Sequence, residues 1–82
     1  MASVYPNPGS GGKVVIEYIS PERSSLQISL FDLNGRRVRQ ISTEVSAGSN
    51  SIPFETLALP KGMYFLSMDD EIRRTTLKLV VQ

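Results

Sequence analysis

Eighty-two residues leave room for one domain, and a chain of this size buries only roughly 60% of the surface its unfolded form exposes, so any core is thin. Nine basic residues against eight acidic ones give a net charge of +1, without the basic excess of a nucleic-acid or membrane-surface binder. The chain has neither cysteine nor histidine, which excludes disulfides, thiolate metal sites and every Ser–His or Cys–His nucleophile.

No apolar run approaches the roughly 20 residues that span a bilayer, and Met1-Ala2-Ser3 lacks the basic and apolar regions of a signal peptide. Met1 and Ala2 read as residues added for expression, ahead of a domain at residues 3–82 that is itself a piece of a larger protein. Val4-Tyr5 reads as a short strand ended by Pro6-Asn7-Pro8 and the glycines that follow, because proline fixes φ and glycine frees the chain to turn. Lys13 to Ile19 alternates with Val14, Ile16 and Tyr18 on one face, and Leu26, Ile28 and Leu30 continue the same period of two.

Asn34-Gly35 predicts a type I′ turn that pairs Leu26–Phe31 with Arg37–Ile41 as a hairpin. Residues 44–50 read as a loop with one turn, and Ser51–Phe54 as a short strand whose Pro53 belongs at a sheet edge. Leu57 to Gly62 forms an apolar corner before a strand from Met63 to Met68, with Tyr64, Leu66 and Met68 on one face. Asp69-Asp70-Glu71 reads as a solvated turn, and Arg73 to Val81 as a last strand with Leu77, Leu79 and Val81 together. Seven short strands at about ten-residue spacing predict an all-β, seven-stranded antiparallel sandwich of immunoglobulin-like type.

Little in the sequence suggests chemistry. The acidic cluster lacks the alternating ligands and glycine of a calcium loop, and Gly9 to Gly12 precedes a strand instead of the helix that a phosphate cradle needs. Arg36, Arg37 and Arg39 with Arg73, Arg74 and Lys78 read as solvated strand faces that discourage edge pairing; the competing reading is a docking patch for an acidic partner. Phe31, Phe54, Phe65 and the tyrosines mostly fall inside alternating runs, where core packing is the default. No enzyme activity, cofactor, metal or nucleic-acid partner is expected.

Five segments stand in a fixed order. They are Tyr5-Pro6-Asn7-Pro8, Phe31-Asp32-Leu33-Asn34-Gly35-Arg36-Arg37-Val38, Ala47-Gly48 with Asn50 and Ile52, Leu59-Pro60-Lys61-Gly62-Met63-Tyr64, and Thr75-Thr76-Leu77-Lys78-Leu79-Val80-Val81. This series resembles the type A C-terminal sorting domain of the type IX secretion system of Bacteroidetes-type bacteria, from Val4 to Gln82. The resemblance implies a removable address label on an N-terminally fused cargo that crosses the inner membrane by its own signal. In the periplasm such a label meets an outer-membrane shuttle protein and a sortase-like cysteine peptidase, which cuts it off as the cargo reaches the cell surface or the medium. The label itself is not inserted into the membrane.

Carried over by motif, partner recognition falls to Pro6, Asn7, Pro8, Lys78, Leu79, Val80 and Val81. Asn34, Gly35, Gly48, Gly62 and Tyr64 are structural motif positions. Pro6-Asn7-Pro8 has a second reading as a rigid exit from a linker, and the last strand a second reading as ordinary sheet. Leu77 before Lys78 departs from the adjacent basic pair common near the end of this family, and Pro53 and Met63 stand where β-branched residues are more usual. The alternative function is a fibronectin- or immunoglobulin-like accessory module for adhesion or carbohydrate binding, since one sandwich hosts many functions. An exposed edge strand also raises self-pairing of the isolated domain, which light scattering tests.

Overall fold

Seven strands account for almost all of the backbone pairing: β1 (Ala2–Tyr5), β2 (Lys13–Ser20), β3 (Ser24–Phe31), β4 (Arg37–Val45), β5 (Gly48–Glu55), β6 (Gly62–Asp69) and β7 (Arg74–Val81). They come from a computed structural model that describes residues 2–6 and 11–82. Among these residues there is no helix, and so none long and apolar enough to cross a membrane. Every strand pair is antiparallel, in a three-stranded sheet ordered β1-β2-β5 and a four-stranded sheet ordered β4-β3-β6-β7. This is the immunoglobulin-like sandwich that the alternating sequence predicts.

The period of two decides which side chains meet. Val14, Ile16 and Tyr18 of β2 with Ile52 and Phe54 of β5 form one inner face. Leu26, Ile28 and Leu30 of β3, Tyr64, Leu66 and Met68 of β6, and Leu79 and Val81 of β7 form the other. Ala2 and Val4 pack against this core from β1, and Leu77 from β7. Pro53 lies on β5, an edge strand, where its missing N–H is tolerated. Arg39 lies over the Phe54 ring, 5.8 Å from its centroid, so a cation covers part of the seam between the sheets.

Two connections differ from the sequence reading. The β3–β4 hairpin forms, but Gly35 has φ +82° while Asn34 is not in the left-handed region, so the turn is not type I′. Asp32 accounts for the difference. Its Oδ1 accepts from the backbone N–H groups of Asn34 (2.9 Å) and Arg36 (3.0 Å), and its main chain bonds to Gly35 and Arg36. The result is a longer loop, followed by a bulge where Phe31 pairs with Arg37 while Leu30 pairs with Arg39.

The second difference lies at residues 44–50. They are not a loop: β4 runs to Val45 and β5 begins at Gly48, leaving two residues to cross between sheets. Asn50 makes so short a crossing workable. Its amide donates to the carbonyls of Ser46 (3.0 Å), Gly48 (3.1 Å) and Tyr18 (3.3 Å), and its Oδ1 accepts from the Ser46 N–H (3.0 Å).

At the β5–β6 corner the Tyr64 hydroxyl donates to the Pro60 carbonyl at 2.6 Å. A buried tyrosine near the start of its strand, bonded four residues back, is the tyrosine corner of immunoglobulin-like sandwiches. Tyr64→Phe removes only the hydroxyl and leaves that carbonyl without its donor. Its expected cost is about 1 kcal/mol, seen as a fall of roughly 4–8 °C in the melting temperature of the purified domain. Nearby, Gly12 has φ +84°, a conformation that strains residues with a side chain, and a Cβ there would also crowd Leu57 Cβ at 3.1 Å.

Candidate recognition surface

The residues expected to take part in recognition divide by strand face. On β7 the side chains of Leu79 and Val81 are buried in the core, whereas Lys78 is exposed and Val80 half-buried on the outer face. Pro6 is exposed at the end of β1, after a cis Tyr5–Pro6 peptide. Asn7 and Pro8 lie outside the described residues. Gly35, Gly62 and Tyr64 cluster at the end of the sandwich where β7 finishes, since Gly62 pairs with Val81 and Tyr64 with Leu79. Gly48 is at the opposite end, beside Ser20.

That opposite end holds the least expected group. Asp70 is not a solvated tip residue; it is only 5% exposed. Its Oδ2 accepts from the Tyr18 hydroxyl at 2.8 Å, and its Oδ1 from the N–H groups of Ile72 (3.0 Å) and Arg73 (2.8 Å). The Arg73 guanidinium lies 3.7 Å from Oδ2. Tyr18 belongs to the smaller sheet and Asp70 to the turn after β6, so this cluster ties the two sheets together.

The N–H of Arg73, then the Tyr18 hydroxyl, hold the Asp70 carboxyl below its ordinary value despite the opposing effect of burial. Burial, then the bond to Asp70, push the Tyr18 hydroxyl above its ordinary value. At the other end Asp32 is likewise held low, chiefly by the Arg36 N–H. These groups build the fold. Among the described residues no three acidic side chains are placed to hold a metal ion.

The arginines do not gather into one patch. Arg73 and Arg74 pair with Asp70 and Asp69 at one end, while Arg36 pairs with Asp32 at the other. Nor are all the aromatic residues internal. Tyr18, Phe54 and Tyr64 are buried, but Phe65 is 39% exposed on the outer face of the larger sheet, with Phe31 half-buried opposite it. Met63, beside them, is also 39% exposed. Alternation along β6 separates its two faces, but both are apolar at this end, and only the sheet register reveals the outer cluster.

The fold therefore defines a non-helical, immunoglobulin-like β-sandwich whose polar clusters serve structure. The chain belongs to the secretion system C-terminal sorting domain family, whose model matches residues 3–82. It is accordingly a C-terminal sorting signal for type IX secretion, a domain fused to a cargo and read by that machinery. No curated protein matches the chain. Among solved structures, a β-glucosidase from Listeria innocua in complex with glucose superposes with a TM-score of 0.50 at 16% identity, over 99% of this chain and 16% of the enzyme. At that identity the likeness concerns the sandwich fold alone.

Proposed function

We propose that this domain works as a folded, removable label in the periplasm. There an outer-membrane shuttle protein and a sortase-like cysteine peptidase of the type IX machinery receive it and cut it from its cargo. The domain supplies the recognition and the peptidase supplies the nucleophile. Lys78 and Val80 contribute side chains on the outer face, Pro6 is exposed at the end of β1, Asn7 and Pro8 join it by motif, and Leu79 and Val81 hold the last strand in place. The observation that carries this reading is the family match across residues 3–82.

A reporter with an inner-membrane export signal ahead of it and residues 3–82 behind it tests the reading in a host that has this machinery. The expected product is at the cell surface or in the medium, lighter by the mass of the domain. Removal of residues 73–82 is expected to leave the reporter in the periplasm. Equal delivery with and without that segment overturns the proposal.

A further inference from the structure

The larger sheet sets four residues side by side, one from each strand, three of them in regular register on its outer face. Arg37 of β4 pairs with Phe31 of β3, Phe31 with Phe65 of β6, and Phe65 with Lys78 of β7. Phe31, Phe65 and Lys78, paired in regular register, present their side chains to the same face, and exposed Arg37 stands opposite Phe31 at the bulge; with strands about 4.8 Å apart the four positions span roughly 14 Å. Two aromatic rings stand at the centre with a cation at each side. Met63 and Val80, paired with each other, extend the apolar centre toward the end of the sandwich. On the other side lie Ser29 and Ser67, both buried, so the rings stand above a floor of small side chains.

The charges on this face are unevenly placed. Its carboxylates, Glu44 and Asp69 with Glu71 beside them, lie toward the opposite end; Glu44 accepts from the Ser25 hydroxyl at 2.5 Å and Asp69 pairs with Arg74 at 2.8 Å. Asp32, in the turn near the row, is taken up by Arg36 and the main chain. Arg37 makes no ion pair among the described residues. The apolar centre is thus flanked by positive charge with no acidic side chain in the row.

We infer that the Arg37–Phe31–Phe65–Lys78 row, with Met63 and Val80, is the surface by which the domain docks on its export receptor, and that the receptor presents an apolar contact rimmed by carboxylates. The inference rests on the sorting function and names the face that serves it. Desolvated aromatic anchors supply most of the affinity at such contacts, and charges at the rim steer the approach and reject wrong partners. Two cations on a chain of net charge +1 are too few for a polyanion such as nucleic acid, whereas they suit a small acidic rim.

The test uses the reporter fusion with three double or single replacements. Phe65→Gln with Met63→Gln removes the apolar centre, and Arg37→Glu with Lys78→Glu reverses the rim. Ile19→Gln alters a comparably exposed aliphatic residue on the other sheet. Each purified domain is also melted to establish that it folds. Both double variants are expected to lower surface delivery at least tenfold while Ile19→Gln leaves it unchanged.

Wild-type delivery by both double variants overturns the docking surface and leaves the sorting function intact; failure of the unsubstituted fusion to leave the periplasm overturns the sorting function itself. If the Phe65/Met63 variant does not melt cooperatively, the charge-reversed variant decides, because its replacements are solvated. Dimerisation of the unsubstituted domain by sedimentation, abolished in the Phe65/Met63 variant while the charge-reversed one exports normally, assigns the face to self-association and overturns the proposal.

Discussion

Replacing Asp70 with alanine is expected to lower the stability of the domain by about 3 kcal/mol, a fall in melting temperature on the order of 15 °C. The carboxylate accepts from Tyr18, Ile72 and Arg73. Alanine leaves the buried Tyr18 hydroxyl without its acceptor and frees the turn after β6 from two backbone anchors. Tyr18→Phe tests half of the arrangement. It removes the donor but leaves Asp70 its two N–H partners, so its expected loss is smaller, about 1–2 kcal/mol.

The sign of the pH dependence follows from the lowered carboxyl. A group with a depressed folded value contributes stability that is fully present above its unfolded value, near 3.8 for this aspartate, and that disappears as pH falls through the lower folded value. Thermal melts should therefore show this contribution undiminished at neutral pH and lost only on acidification below the ordinary carboxylate range. Asp70→Asn keeps an oxygen for the two N–H groups and should flatten that acid limb. An unchanged acid limb in the Asn variant would show that other carboxylates, Asp32 first among them, govern it.

Leu79→Ala carries the second large effect. Leu79 is fully buried and pairs with Tyr64 across β6 and β7, so truncation leaves a cavity in the middle of a thin core. The expected cost is about 3 kcal/mol, within the usual range for a buried leucine. A domain of this length commonly holds only about 4–12 kcal/mol in all. Export of a reporter should fall together with the melting temperature. Lys78→Gln, one residue earlier and exposed, should leave the melting temperature within about 3 °C of wild type. The two substitutions together separate a strand needed for folding from a side chain needed for contact. Loss of export in the Leu79 variant with an unchanged melt would mean that the leucine acts by some route other than packing.

Much of the architecture is visible in the residues themselves. Val14-Ile16-Tyr18, Leu26-Ile28-Leu30 and Tyr64-Leu66-Met68 alternate strictly, and alternation alone fixes which side of each strand is buried. What stays hidden depends on partners distant in sequence or on a side chain that remodels its own turn. Asp70 sits among acidic neighbours and resembles a solvated tip until Tyr18, 52 residues away, is brought to it. Asn34-Gly35 signals a two-residue turn, yet Asp32 captures the N–H groups that such a turn would orient differently. The seven residues from Glu44 to Asn50 have a loop's composition, and the bonds of Asn50 draw them into strands.

The outer row is hidden for a different reason. Arg37, Phe31, Phe65 and Lys78 come from four strands and become neighbours only through register, which a bulge at Leu30–Phe31 adjusts by one residue. A strand pattern can state that Lys78 faces outward. It cannot state that an aromatic pair and a second cation stand beside it.

Seven strands are an odd number, and antiparallel order therefore puts the two chain ends at opposite poles. Ala2 pairs with Tyr18 near the Asp70 cluster, whereas Val81 pairs with Gly62 beside the tyrosine corner. Eight-residue strands separate these poles by about 26 Å, in a molecule whose longest dimension is 34 Å. A passenger joined ahead of Ala2 thus hangs from the far side, held off from the ring-and-cation row by the length of the sandwich. Passengers of different bulk hang from such a tag at the pole away from that row, a geometry suited to one postal mark used on many parcels.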